Sequence, residues 1–205
     1  MFSLTCHCNL QDDKVQDAIN HTLQWIPKVR NDYDEPKYYE AFTDIENPNI
    51  LTYFMTFSNQ DAEKRIASMD EPRKFGEDLY KMCTKEPAWV DHYLINSIRR
   101  SKPDSQIHTR VEYTVKPEAI PDVLNHIVDY INTVRDNESD VRVYESYQNK
   151  VEPSKFIHLA EFTDKAAEQN HKDVSHTKEF AEFLWPLCEQ EPKFTYMKMV
   201  GSARR

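Results

Sequence analysis

Apolar and polar positions alternate along residues 107–115 (IHTRVEYTV). Ile, Thr, Val, Tyr and Val fall on one side against His, Arg, Glu and Thr on the other, the period of a half-buried strand. After Pro117 the rhythm changes. Ile120, Leu124, Ile127, Ile131 and Val134 recur at intervals of three and four, which predicts an amphipathic helix. Pro117 and Glu118 suit its first turn. Residues 141–148 (VRVYESYQ) and 155–162 (KFIHLAEF) read as strands joined by a loop around KVEPS. Residues 163–190 read as a helix with Thr163 or Asp164 as N-cap. Pro186 lacks the amide hydrogen a helix interior needs, so a kink or end is expected there. KFTYMKMV (193–200) closes as a strand, giving the order βαββαβ. The first half predicts the same order: strand 2–10, helix 13–31, strands 37–44 and 50–57, helix 60–84 and strand 88–95.

The two halves answer each other residue by residue. FGEDLYKMCTKEP (75–87) and FAEFLWPLCEQEP (180–192) share Phe, Glu, Leu, Cys and Glu-Pro at the same offsets, 105 residues apart. The register continues without a gap through Asn20-His21/Asn125-His126, Val29-Arg30/Val134-Arg135, Tyr39-Glu40/Tyr144-Glu145, Phe57/Phe162 and Ala62-Glu63/Ala167-Glu168. A fixed period of this kind marks a duplicated domain. Antiparallel βαββαβ with helices on one face is the ferredoxin-like arrangement. The expected fold is therefore α+β: two ferredoxin-like domains in tandem, 1–96 and 107–205, joined by a polar linker at 97–106. A lone sheet of this type leaves one face bare. Two copies can cover each other, sheets packed as a pseudo-dimeric α+β barrel.

Composition narrows the function classes. The 205 residues carry a net charge of −9, spread over both halves with no Lys/Arg run, so nucleic acid is not an expected partner. No apolar run approaches the ~20 residues of a membrane helix. The opening MFSLTCHCNL lacks the charged and apolar regions of a secretory signal. Four cysteines then read as reduced thiols in a cytoplasmic protein. Gly76 and Gly201 are the only glycines, too few for a phosphate-cradling loop or a dinucleotide fingerprint.

The stretch FIHLAEFTDKAAEQNHKDVSHTKEF (156–180) resembles the antibiotic biosynthesis monooxygenase family of dimeric α+β barrels. Phe156, Glu161, Phe162, Asp164, Ala167, His171, Ser175-His176 and Phe180 stand in the places of its motif. VEYTVKPEAI (111–120) is similar to the family's first strand and turn, with Glu118 where Gly is usual. The first half matches only through its register with the second, and Ile66 and Glu71 stand where His171 and His176 do. The resemblance implies a cofactor-independent monooxygenase, or a related isomerase, acting on a small aromatic, quinol or enolisable molecule. It also implies an intramolecular pseudo-dimer and leaves further self-association open. Fold alone does not choose among the family's activities. Its haem-degrading members use a histidine where this chain has Ala181, so a haem would need His171 or His176 as substitute ligand, and the expected cofactor set is none.

Cofactor-free oxygenation requires an aromatic pocket, a base for a phenol or enol, and donors for developing negative charge. A histidine titrating near neutrality serves as such a base. His171 and His176 are the candidate catalytic residues, with Glu161 and His158 on the preceding strand and Phe180 and Trp185 as walls. The competing reading makes the histidines helix-end residues that hold a turn. His21 and His126 occupy one register position, each four residues before an aromatic ring, and are either pocket walls or inherited core-boundary residues. In CHC (6–8), Cys6 and Cys8 share one strand face and His7 the other, so the three cannot clasp one ion and no metal is expected. His7 aligns with Glu112 on the polar side of the first strand, and both are secondary substrate-binding candidates. The rival to an enzyme is a non-catalytic small-ligand-binding or structural α+β barrel.

Overall fold

The first half folds as β1 (Phe2–Asn9), α1 (Val15–Asp32), β2 (Tyr38–Asp44), β3 (Ile50–Phe57), α2 (Gln60–Ala67), α3 (Asp70–Tyr80) and β4 (Ala88–Arg99). The second repeats it as β5 (Ile107–Thr114), α4 (Ile120–Asn137), β6 (Val141–Asn149), β7 (Lys155–Phe162), α5 (Lys165–Asp173), α6 (Ser175–Leu184) and β8 (Lys193–Arg204). This computed structural model describes residues 1–100 and 105–205. The middle of the expected linker, 101–104, lies outside the described residues. Two units emerge: Met1–His92 with Lys198–Arg205, and Tyr93–Met197.

In the first unit β1 pairs antiparallel with β3 and β4, and β3 with β2. In the second, β5 pairs antiparallel with β7 and β8, and β7 with β6. Each unit thus has its first and third strands at the centre. The period-2 alternation sets the faces. Leu4, Cys6 and Cys8 of β1 and Leu51, Tyr53, Met55 and Phe57 of β3 join the helix-side core of the first unit. Tyr113 of β5, Phe156, Ala160 and Phe162 of β7, and Val123, Ile127, Ile131 and Val134 of α4 build that of the second.

The expected single helices at 60–84 and 163–190 are each interrupted. In the first unit Met69 leaves the helix with ψ 148°. Pro72 would clash with the preceding turn of a continuous helix, but it is tolerated in the opening turn of α3. In the second unit Val174 leaves it with φ −67° and ψ 150°. Valine is a weak helix former, and the break lets side chains on α5 and α6 reach one buried carboxylate, described below. Asn59 and Asp164, which share a register position, cap α2 and α5 by accepting from Ala62 N and Ala167 N at 2.9 Å each. The second helix of each half also ends earlier than expected. α6 stops at Leu184, and Trp185–Leu187 forms a 3-10 turn around Pro186.

The last strand of each half runs longer than the expected 88–95 and 193–200, so the expected linker 97–106 begins inside β4. A buried ion pair recurs at these strand ends. Arg99 Nε and Nη2 donate to the Glu145 carboxylate at 2.6 and 2.7 Å in the second unit. Arg204 Nε lies 2.6 Å from Glu40 in the first. Arg99/Arg204 and Glu40/Glu145 are register equivalents, so duplication preserved the pair.

Candidate active site

Each unit holds a cavity between the core face of its sheet and its second pair of helices. The cavity of the second unit is about 490 Å³, lined chiefly by apolar and aromatic side chains. Val111, Tyr113, His158, Ala160 and Phe162 reach it from the central strands, and Tyr144 from β6. Tyr130 reaches it from α4, and His171, Phe180, Leu184 and Trp185 from the later helices. The alternation of β7 explains the strand contribution. Residues 158, 160 and 162 share the core face, while Ile157, Leu159 and Glu161 face the other way.

A polar chain crosses this apolar setting. Glu138, directly after α4, is 5 % exposed and His171 is 7 % exposed. The two oxygens of Glu138 lie 2.8 Å from His171 Nδ1 and 2.6 Å from His176 Nε2. Burial alone would raise the Glu138 carboxyl, but the hydrogen bonds and charges of His171 and His176 outweigh it and hold the group below its ordinary value. Glu138 is therefore an ionised acceptor, and His171 carries a hydrogen on Nδ1. His171 Nε2, on the far side of the ring, lies 3.1 Å from the Tyr130 hydroxyl. Tyr130 also sits 3.1 Å from Thr177 Oγ1 and stacks on Phe180 with centroids 4.2 Å apart. Burial pushes the Tyr130 phenol up, so it stays protonated and serves as a donor rather than a base.

The remaining polar groups are His158 and a cluster around Glu168. His158 Nε2 is 2.6 Å from Tyr113 OH and 3.4 Å from Ser146 Oγ. Desolvation, and then the charge at His171, push His158 down to about 3, which makes it a neutral ring at physiological pH. Glu168 accepts from Lys172 Nζ at 2.5 Å and from Tyr196 OH at 2.6 Å, and all three line the cavity.

Of the residues singled out from sequence, His171, His158, Phe180 and Trp185 line this cavity. His176 stands behind His171 on the shared carboxylate. The others lie apart from the lining. Glu161 is 3.7 Å from His108 Nδ1 and accepts from Ser105 Oγ, on the opposite sheet face. Glu112 accepts from Arg110 at 3.0 Å. His126 stacks on Phe183 at 3.6 Å and pairs with the Asp122 carbonyl. In the first unit His7 meets Thr52 Oγ1 at 3.1 Å, away from Cys6 and Cys8, whose sulfurs are 3.9 Å apart on the core side. His21 stacks on Phe75 and meets its carbonyl. Among the described residues no group of three or more His, Cys, Asp or Glu could hold a metal ion. No helix among them is long and apolar enough to cross a membrane.

Sequence reasoning missed Glu138, which follows the apolar stripe of α4 in a run of polar residues, RDNESD. A signal existed in the duplication register. Position 138 aligns with Tyr33 and position 176 with Glu71, and in the first unit Tyr33 OH donates to Glu71 at 2.9 Å. Donor and acceptor have exchanged places between copies.

The first unit's cavity is about 300 Å³ and uses the same register positions: Cys6, Trp25, Tyr39, Tyr53, Met55, Phe57, Ile66, Phe75, Leu79 and Trp89 among them. Tyr53 replaces His158 and Ile66 replaces His171. Its framework is shared; its acid–base groups are not.

Residues 106–182 match the model of the antibiotic biosynthesis monooxygenase family, a span from the start of β5 through most of α6. No curated protein matches the chain significantly. Among solved structures, a protein of Lactobacillus acidophilus NCFM provisionally named a monooxygenase is 14 % identical. It superposes with a TM-score of 0.87 over 99 % of this chain and 95 % of its own. One of Fusobacterium nucleatum subsp. nucleatum ATCC 25586, likewise provisionally named a monooxygenase, is 12 % identical with a TM-score of 0.87, covering 100 % and 94 %. An anthrone oxidase-like protein is 10 % identical with a TM-score of 0.69, covering 98 % and 92 %. At these identities the likeness is one of fold.

Proposed function

We propose that the cavity of the second unit oxygenates a small aromatic, quinol-type or enolisable molecule with dioxygen and no cofactor. His171 acts as general base. The observation that carries this reading is the buried Glu138–His171 pair opening onto an aromatic cavity. A monooxygenase-type activity accords with the family match over 106–182, which contains both residues. We further read the units as two ferredoxin-like domains paired within one chain.

An anthrone-type methylene illustrates the chemistry. His171 Nε2 removes a C–H proton, and the conjugated anion supplies electrons to O2. A C–O bond forms, giving a hydroperoxide at that carbon. Loss of water breaks the O–O bond and leaves a ketone, so CH2 and O2 become C=O and H2O. The second C–H proton and the proton held by His171 leave with that water. Glu138 holds the imidazole in the required tautomer and stabilises its cationic form, while the Tyr130 hydroxyl donates to the oxygen that gains charge. The apolar walls exclude bulk water, which strengthens these interactions.

Oxygen uptake with a panel of anthrones and quinols, measured on metal-free protein, tests this. Uptake above autoxidation that falls at least ~100-fold in His171→Ala is expected. Uptake unchanged in that variant would remove His171 from the reaction.

A further inference from the structure

The mouth of the first unit's cavity lacks a cation that its equivalent holds, and gains an acid. In the second unit Glu168 is neutralised by Lys172 and capped by Tyr196. The register equivalents are Glu63, Ala67 and Asp91, so an acid is kept, its lysine is lost, and a second acid replaces the tyrosine. Glu63 and Ala67 both line the cavity. The other charged lining groups are already paired. Glu35 accepts from Ser58 and pairs with Lys37, and Arg73 bridges Asp70 and Glu77 at 2.9 Å each. The carboxylate of Glu63 has no hydrogen-bond or ion-pair partner among the described residues. Burial, and then the charge of Asp91, push it above the ordinary carboxylate range against the weaker pull of Lys64.

Behind that carboxylate lies an aromatic enclosure of Trp25, Tyr39, Tyr53, Phe75, Tyr80 and Trp89. Trp89 donates to Tyr80 OH at 2.7 Å, which fixes the two rings near one another. Aromatic faces attract cations, and a half-buried acid beside a second acid is relieved by one. Neither feature favours an anion. With Ile66 where the second unit has His171, no equivalent base is present to ionise a substrate.

We infer that the first unit's cavity is a second binding site, which takes a small organic cation, an arylalkyl ammonium, with its charged nitrogen at Glu63 and Asp91 and its ring inside the aromatic enclosure. The site binds without turnover and is independent of the oxygenation proposed for the other cavity.

Calorimetric titration with phenethylamine, its neutral isostere 2-phenylethanol and the anion 3-phenylpropionate tests the assignment. Wild type should bind the amine at least tenfold more tightly than the alcohol, because hydrogen bonds to charged groups exceed neutral ones, and the anion most weakly. Ala67→Lys restores the missing cation and should abolish the amine preference, and Glu63→Gln should reduce it about tenfold. Both substitutions lie at the half-exposed mouth, and circular dichroism confirms that the variants fold. Equal binding of amine and alcohol, tighter binding of the anion, an amine affinity indifferent to both substitutions, or no amine binding would each overturn it.

Discussion

The two cavities are one design carried to different ends. Phe57/Phe162, Tyr39/Tyr144, Phe75/Phe180 and Leu79/Leu184 are unchanged between copies, and all line their respective cavities. Other lining positions differ in size, as Met55/Ala160 and Trp89/Phe194 do, but the polar positions changed in linked sets. Tyr33 with Glu71 becomes Glu138 with His176, and Ile66 becomes His171. Ala67 with Asp91 becomes Lys172 with Tyr196. A buried polar group left without a partner costs about 1–3 kcal/mol, so a donor and its acceptor cannot drift separately. Packing preserves the frame of a duplicated fold; its chemistry diverges in pairs.

The strongest way to break this comparison is to remove the histidine present in one copy only. His171→Ala should cut turnover by ~10²–10⁴-fold, whereas Ile66→Ala in the first unit should leave it unchanged, as read by oxygen uptake. The second test uses what the copies share. Glu40→Ala and Glu145→Ala each strand a mostly buried arginine and should destabilise the fold by about 3 kcal/mol. Near-equal losses in urea denaturation are expected, and a large inequality would mean that the two ion pairs are not equivalent.

Glu138→Gln sharpens the comparison further. As a positioning residue it should lower kcat about tenfold with little change in KM, and it should cost about 1–3 kcal/mol of stability at neutral pH. Because the folded carboxyl lies below its ordinary value, its stabilisation is complete above the unfolded group's range and is lost as pH falls through the folded value. The stability gap between wild type and variant should therefore narrow in acid. His158→Gln is the subtlest test. Burial pushes the folded ring down to about 3, while the unfolded one titrates near the ordinary histidine value of about 6.5, so between those limits the unfolded chain binds the extra proton and stability rises with pH. The variant should lose up to one proton's worth of that slope, read from melting temperatures between pH 4 and 7. Its counterpart Tyr53→Phe should leave the slope intact.

Much of this was legible before the fold was known. Periodicity gave the element order, because alternation on β5 and the three-four spacing on α4 are local consequences of which face is buried. The 105-residue register exposed the duplication. His171 and Phe180 could be chosen because they stand in the family motif, with His158 on the strand before it and Trp185 shortly after it. The interruptions at Met69 and Val174 were not legible. The first depends on Pro72 acting three residues downstream, and the second accommodates a contact from another helix. Glu138 was hidden for the same reason. Nothing beside it in sequence distinguishes it from the neighbouring acids, and its role comes from histidines 33 and 38 residues away. His126 and His21 illustrate the converse, since the histidines at this shared register position stack on aromatic rings and are not themselves part of either cavity lining.

The central claim, that one of two matched cavities carries the oxygen chemistry, is tested most directly by filling each in turn. Gly76 and Ala181 are register equivalents that line the first and second cavity, and nothing lies within 4 Å of a Cβ placed on Gly76. Oxygen consumption should be measured on Gly76→Phe and Ala181→Phe, with folding of both verified. The account predicts that Ala181→Phe abolishes uptake while Gly76→Phe retains it. Loss in Gly76→Phe with uptake retained in Ala181→Phe, or equal loss in both, would contradict it.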